Sequence, residues 1–426
     1  MNSQEDAPLL SRFWALALMA LLIATWPLWW VTSQPGSLPS LPLLDIVRKV
    51  DGQVASRIAT FVMSGTLMAI GILGNYIKNA WRRKAWACVA ICLTLLFALD
   101  QHRLQPWAYQ SFFYAIIFAF APTCQIARHW ILVLMTSVYL YSSLGKFDYQ
   151  FVHTVGHDFV LHMLKLPKDV LGVGWFDGLA VDEIATRLCF ALPVTEFLAA
   201  VMLLPKRTQR FALVIVIFMH ATLIGLLGPW SLGHSWGVVV WNVALLIQAL
   251  IFLMTLHRNE MQDHVGIQPN DVPRPRSRLW SIARILIIVA CVAPLAERAG
   301  YWDHWLSWSL YSPHTSGADI EIHQSVVDKL PEQTQRFVED DQDGDGWHFV
   351  SLQRWSIETC WAPIYPQARY QIAVADDLAR RYQIDRGIRV IERSASDRWT
   401  GQREQRWLVG NNEIAKRLRE SWFYSF

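Results

Sequence analysis

Between residues 13 and 297 apolar positions gather in nine runs, near 13–33, 58–77, 85–99, 107–123, 129–145, 188–204, 211–228, 234–256 and 279–297. Most approach the roughly 20 helical residues that cross a hydrocarbon core about 30 Å thick. The pattern predicts an all-α polytopic membrane bundle of about nine transmembrane helices. After Gly300 the pattern changes. "ADIEIHQ" and "WHFVSLQRWSI" read as strands, and "RGIRVIERSASDRWTGQREQRWLV" reads as a hairpin about a Ser/Asp/Gly-containing loop. "DDLARRYQI" and "NEIAKRLRESWF" read as helices, the second capped by Asn411 or Asn412. The chain thus divides into an N-terminal segment (1–12), a membrane domain (13–298) and a small C-terminal α+β extramembrane domain (299–426).

Composition agrees: 53% of residues are hydrophobic and only 17% charged, the balance of a membrane protein. The first run follows Gln4, Glu5 and Asp6 rather than a basic cluster, so it does not read as a cleaved signal peptide. Basic residues concentrate in alternate loops: Lys78, Arg82, Arg83 and Lys84; Lys206, Arg207 and Arg210; Arg258, Arg274, Arg276 and Arg278. The positive-inside rule makes that face cytoplasmic, with the N-terminus inside and the C-terminal domain on the outer, periplasmic or extracellular, side. Arg48, Lys49 and Arg57 run against this assignment. A net charge of +3, placed mostly in short loops, forms no nucleic-acid surface. Of six cysteines only Cys360 follows Gly300, so no disulfide framework holds the C-terminal domain. The long loop 147–186 places Phe151, Val152, Val155, Phe159 and Met163 at near-helical spacing, as an amphipathic helix at the membrane interface would. Residues 34–57 read as a Pro/Ser-rich loop and 268–278 as a linker.

Ionisable residues inside spans cost about 2.5–3.5 kcal/mol each when charged at the bilayer centre, so they mark functional candidates. Glu196 lies mid-run in "PVTEFLAA" and His220 mid-run in "VIFMHATL". Both lie about 16–20 Å from the turn at Lys206 and Arg207, on antiparallel neighbours, and the spacing lets them meet. A proton relay and a structural polar clamp both fit. Lys146 ends the fifth run on a stripe of Ser143 or Ser142, Tyr139 and Thr136, with Asp148 just beyond. A lysine snorkelling at a helix end and a base facing a polar interior both remain open. His153 and His157 have the i, i+4 spacing of a metal pair, beside Asp158 and His162. No second histidine box accompanies them, so solvated histidines are expected and no metal. "EDDQDGDGW" offers Asp341, Asp343, Asp345 and Gly346 as a calcium loop would. Leu352 stands where that loop needs a bidentate Glu, so an acidic turn is expected.

"YLYSSLGKFDYQFVHTVG" resembles the segment of vitamin K-dependent γ-glutamyl carboxylases, and of the wider HTTM group, in which a Tyr-rich span ends in Lys-hydrophobic-Asp. Glu196 placed 24 residues before a mid-span His220, and "WLSWSLYSPHTSGADIEI" with Trp308 after the last run, are similar to the same family over roughly residues 90–325. Those enzymes oxidise vitamin K hydroquinone with O₂ at a luminal site, and the strong base so made removes a γ-proton from peptide Glu, which captures CO₂. The resemblance implies that Lys146 is the base, that Glu196 and His220 tune or relay protons, and that Tyr139, Ser142, Ser143, Asp148, Trp107, Tyr109 and Trp308 line the site. The chain departs from the family where a catalytic histidine stands two residues before a tyrosine: here Trp107 precedes Tyr109. Carboxylation itself is therefore not expected. A membrane enzyme acting on reduced vitamin K or another quinol is one expectation, a carboxylase-like lyase or a quinol oxidiser. The other is a non-enzymatic scaffold that binds a quinone or lipid and presents the outer domain to a peptide or protein partner. The absence of an inverted repeat weighs against a transporter.

Overall fold

The computed structural model describes residues 6–30, 35–43, 47, 52–176, 180–265, 277–341 and 343–420. Gln4, Glu5, Arg48, Lys49, Arg274, Arg276 and most of the 268–278 linker lie outside the described residues. The described chain is mostly helical. Its first helices are α1 (Asp6–Ala24), α2 (Trp26–Trp29), α3 (Gly52–Leu73), α4 (Asn79–Leu99), α5 (Pro106–Phe120), α6 (Cys124–Lys146), α7 (Tyr149–His153) and α8 (Val155–Leu171). There follow α9 (Val181–Leu188), α10 (Ala191–Leu203), α11 (Gln209–Leu227), α12 (Trp236–Val265) and α13 (Arg278–Val292). Four strands, β1 (Gly317–His323), β2 (Trp347–Phe349), β3 (Ile388–Arg393) and β4 (Gln405–Val409), alternate with α14 (Glu332–Gln335), α15 (Leu352–Cys360), α16 (Ala368–Arg381) and α17 (Asn411–Arg419).

Helix occupies each of the nine apolar runs, but not every helix suits a crossing. Five stretches are long and apolar enough: Gly52–Leu73, Val181–Leu203, Gln209–Leu227, Trp236–His257 and Arg278–Ala296. A sixth would join α6 to Tyr149–Lys168 across a 72° bend. The remaining runs fall short for local reasons. α1 ends where Thr25 and Pro27 interrupt the chain, and α4 carries Arg82, Arg83 and Lys84 in its first turns. The 15 residues of α5 span only about 22 Å. Outward residues of the apolar helices, among them Ile58 and Phe61 on α3, Phe218 on α11 and Ile285 on α13, are exposed large hydrophobics. Such a surface suits lipid rather than water.

The chain forms two compact units: Met1–Ala24, Met63–Ile91 and Pro106–Pro313 in one, Thr25–Val62, Cys92–Gln105 and His314–Phe426 in the other. The division departs from a single cut near residue 298. In the first unit α10 packs on α6 and α11, and α11 on α12. Ala199 and Ala200 on α10 are fully buried, and their small side chains let the helices approach closely. Polar groups are satisfied in pairs. Gln248 on α12 accepts from Trp14 Nε1 and donates to the Tyr114 hydroxyl at 3.0 Å, and Trp241 Nε1 donates to Gln110 Oε1 at 2.8 Å.

The second unit is built on an antiparallel sheet of order β2-β1-β3-β4. Ala318, Ile320 and Ile322 of β1 and Ile388 and Val390 of β3 are buried, alternate with more accessible positions, and face α16. The hairpin is present in register, Ile391 opposite Trp407. "SLQRWSI" is not strand. Leu352, Trp355 and Ser356 are buried at helical spacing, and this segment forms α15. The α17 cap is Gly410, at φ +78°, rather than an asparagine, and Glu413 accepts the Val409 N–H at 2.8 Å. The 92–105 segment joins this unit through buried polar contacts. Arg103 donates to Leu28 O at 3.1 Å and to Ser56 Oγ at 2.9 Å, and His102 Nε2 lies 2.8 Å from Pro363 O.

Candidate functional site

The residues picked out around Lys146 meet inside the helical unit. Lys146 Nζ donates to Ser142 Oγ at 2.8 Å and to Glu196 Oε2 at 2.5 Å. Both charged side chains are 9% exposed. The polar stripe on α6 is thus an inward face, and Lys146 folds back along it towards Ser142 as helical side chains do. It does not snorkel outward. The pair neutralises two charges whose separate burial would be prohibitive.

Glu196 and His220 do not meet. Glu196 binds Lys146, whereas His220 pairs with Tyr139, two turns earlier on α6, so the register on α6 sets them at different depths. Tyr139 Oη lies 2.9 Å from His220 Nε2, and His220 Nδ1 lies 2.9 Å from Asn242 Oδ1 on α12. Asn242 Nδ2 donates to Val238 O at 2.9 Å. Tyr139, His220 and Asn242 are all buried.

Tyr311, from the segment after α13, completes the group. Its ring packs edge-on against Phe159 and His234. Burial, then Glu196, pushes the phenol well above its ordinary range, with Asn242 partly opposing. Tyr311 and Trp308 both adopt left-handed backbone, at φ +57° and +58°. Each such residue costs of order 1–3 kcal/mol and persists only where its surroundings enforce it. The same segment presses on α6: a Cβ on Gly145 would come within 2.6 Å of Ser312 Oγ.

The other expected residues are placed apart or differently. Ser143 Oγ turns to its own helix, donating to Leu140 O at 2.8 Å. Asp148 caps α7 by accepting the Gln150 N–H at 2.9 Å and binds Arg298 at 3.2 Å, a structural task. Trp107 is buried in the first turn of α5, where its carbonyl accepts from Ser111 Oγ. Tyr109 and Trp308 form an aromatic pair with centroids 4.9 Å apart. Trp308 Nε1 is buried with no hydrogen-bond partner among the described residues. The helix breaks at Thr154, so His153 and His157 stand on separate helices and lose the i, i+4 geometry; His153 stacks on Tyr149 instead. Phe151, Val152 and Phe159 around the break are buried. The three aspartates Asp341, Asp343 and Asp345 form a tight turn in which Asp341 accepts the N–H groups of Gly344 and Gly346 at 2.8 and 2.7 Å. Asp345 is bound by Arg389 at 2.8 Å, and Leu352 opens α15.

Asn242 and Tyr311 escaped sequence reasoning. The rule that flagged Glu196 and His220 would have found Asn242 had it been applied to neutral amides in apolar runs. Tyr311 sits in the quoted segment after the last run, but only the fold shows where it points. No family model matches the chain, and neither a curated protein nor a solved structure matches it.

Proposed function

We propose that this chain is a multi-span membrane enzyme of the carboxylase-like class that acts on a quinol from the outer face, with Lys146 as the base. The N-terminus is cytoplasmic and the C-terminal domain exoplasmic, as the three basic loops favour. The observation that carries the chemistry is the buried Lys146–Glu196 contact at 2.5 Å. At that distance the ammonium can hand its proton to the carboxylate, leaving a neutral amine and a neutral acid without net charge change. The amine then takes the proton of a quinol hydroxyl: the O–H bond breaks, an N–H bond forms, and the ammonium is restored. Trp308 Nε1 supplies an unused donor suited to a carbonyl or hydroxyl oxygen.

A second reading keeps the same ligand but no turnover: a scaffold that binds a quinone or lipid and presents its outer domain to a protein partner. The ion pair itself favours it, since Glu196 already neutralises Lys146. The two part on one assay, epoxide formation from vitamin K hydroquinone by the purified 426-residue chain in lipid nanodiscs. The enzyme reading expects product that disappears in Lys146→Ala.

A further inference from the structure

Beside the Lys146–Glu196 pair, the buried Tyr139–His220–Asn242 group has a geometry that fixes where its hydrogens lie. Asn242 Nδ2 is committed to Val238 O, the helix carbonyl four residues back, at 2.9 Å. Its Oδ1 therefore faces His220 Nδ1, 2.9 Å away. An amide oxygen only accepts, so Nδ1 must carry the hydrogen. Among the described residues the hydrogen-bond partners of His220 are the neutral Tyr139 and Asn242, and Glu196 is engaged with Lys146, so a buried imidazolium would lack a counter-charge. The neutral ring then has a bare Nε2, and that nitrogen meets the Tyr139 hydroxyl at 2.9 Å.

Other buried phenols differ. The Tyr114 hydroxyl accepts from two amides, Gln110 Nε2 and Gln248 Nε2, both at 3.0 Å. Tyr139 instead donates to an imidazole lone pair.

We infer that Asn242 is a positioning residue that holds His220 as its Nδ1–H tautomer, and that Tyr139 and His220 form a proton-transfer couple distinct from Lys146–Glu196. As a substrate hydroxyl gives its proton to the Tyr139 oxygen, the Tyr139 O–H bond breaks and an Nε2–H bond forms. Tyrosine ends neutral, the ring becomes imidazolium, and the substrate oxygen carries the negative charge. Asn242 Oδ1 then stabilises the imidazolium through the Nδ1 hydrogen it already holds. The site would take a hydroxyl-bearing substrate of the quinol class, and this assignment of substrate rests on the function proposed above. The tautomer and the coupling do not rest on it.

Imidazole ¹⁵N spectra of the ¹⁵N-histidine-labelled chain in lipid nanodiscs test this without any activity. The His220 signals are assigned by their loss in His220→Gln. Wild type is expected to show a protonated Nδ1 and an Nε2 shifted from the free lone-pair value by its hydrogen bond. Asn242→Leu, which keeps the branching at Cγ but removes the acceptor, is expected to lose the Nδ1–H signature. Asn242→Asp, a variant that keeps both shape and acceptor, is expected to show both nitrogens protonated. Placing the more acidic 3-fluorotyrosine at position 139 is expected to move Nε2 towards its protonated shift, as a hydrogen bond donated by Tyr139 to the Nε2 lone pair requires. An Nε2–H tautomer in the wild type, Asn242 variants with an unchanged tautomer, or an Nε2 insensitive to fluorination would each overturn the inference. If quinol turnover fails while these shifts appear, the enzyme reading falls and the proton couple stands.

Discussion

Lys146 and Glu196 face each other from α6 and α10 as a buried ion pair, and Ser142, one turn back on α6, shares the same ammonium. Two helical positions, Ser142 and Glu196, thus converge on the Lys146 nitrogen. Removing one partner leaves the other charge stranded, a loss of about 3–5 kcal/mol in buried pairs.

Glu196→Leu or Lys146→Met alone is therefore expected to lower the thermal midpoint of the nanodisc-embedded chain clearly. The double variant Lys146→Met with Glu196→Leu should recover most of that loss, because an apolar pair of similar volume needs no counter-charge. Unfolding followed by circular dichroism across the four proteins reads the coupling. A double variant as unstable as the sum of the singles would mean that the contact contributes nothing as a pair.

His102 gives the second unit a pH dependence. The ring is buried at Pro363 O and Ser356 Oγ, and burial lowers its pKa, opposed by Asp100 and the Pro363 contact and aided by Arg103. The folded value lies below the unfolded one, near about 6.5. The associated stability is present above that unfolded value and is lost as pH falls through the folded value. His102→Gln keeps a donor for Pro363 O and has nothing to titrate. Its unfolding midpoint should fall less between pH 7 and pH 5 than that of the wild type, in parallel denaturant titrations.

Gly410 is required at the start of α17. It sits at φ +78°, and an added Cβ would lie 2.8 Å from Asp385 O. Gly410→Ala should destabilise the C-terminal unit by about 1–3 kcal/mol, from left-handed strain and the close backbone contact together. Limited proteolysis between β4 and α17 would detect it. Asn411→Ala, by contrast, should have little effect, since the Asn411 side chain does not cap the helix.

Much of this architecture was legible in the amino-acid pattern, because the terms that decide it are local. Runs of apolar residues become helices wherever they lie, and the alternation in β1 and in the hairpin marks their strands. Lys146, Glu196 and His220 were legible because ionisable groups in apolar runs must be compensated. Their pairing was not. Counting back from the turn at Lys206 and Arg207 placed Glu196 and His220 at similar depth, but the partner of each is set by α6, where Lys146 and Tyr139 stand two turns apart. The α15 segment misled because aromatic and polar residues alternate over a stretch too short to separate period two from period 3.6. Trp308 and Tyr311 carry no warning of their left-handed backbone, which surrounding packing imposes.

The most direct test of Lys146 as a reactive base is quinol turnover by matched proteins. Purified wild type, Lys146→Ala and Asn411→Ala, all in lipid nanodiscs, would receive vitamin K hydroquinone and O₂, with epoxide measured over time. Circular dichroism would verify that each is folded. Epoxide is expected from the wild type and from Asn411→Ala, with a loss of at least about 100-fold in folded Lys146→Ala, the lower range for removing a general base. Equal epoxide formation by wild type and Lys146→Ala, or none from any of the three, would contradict it.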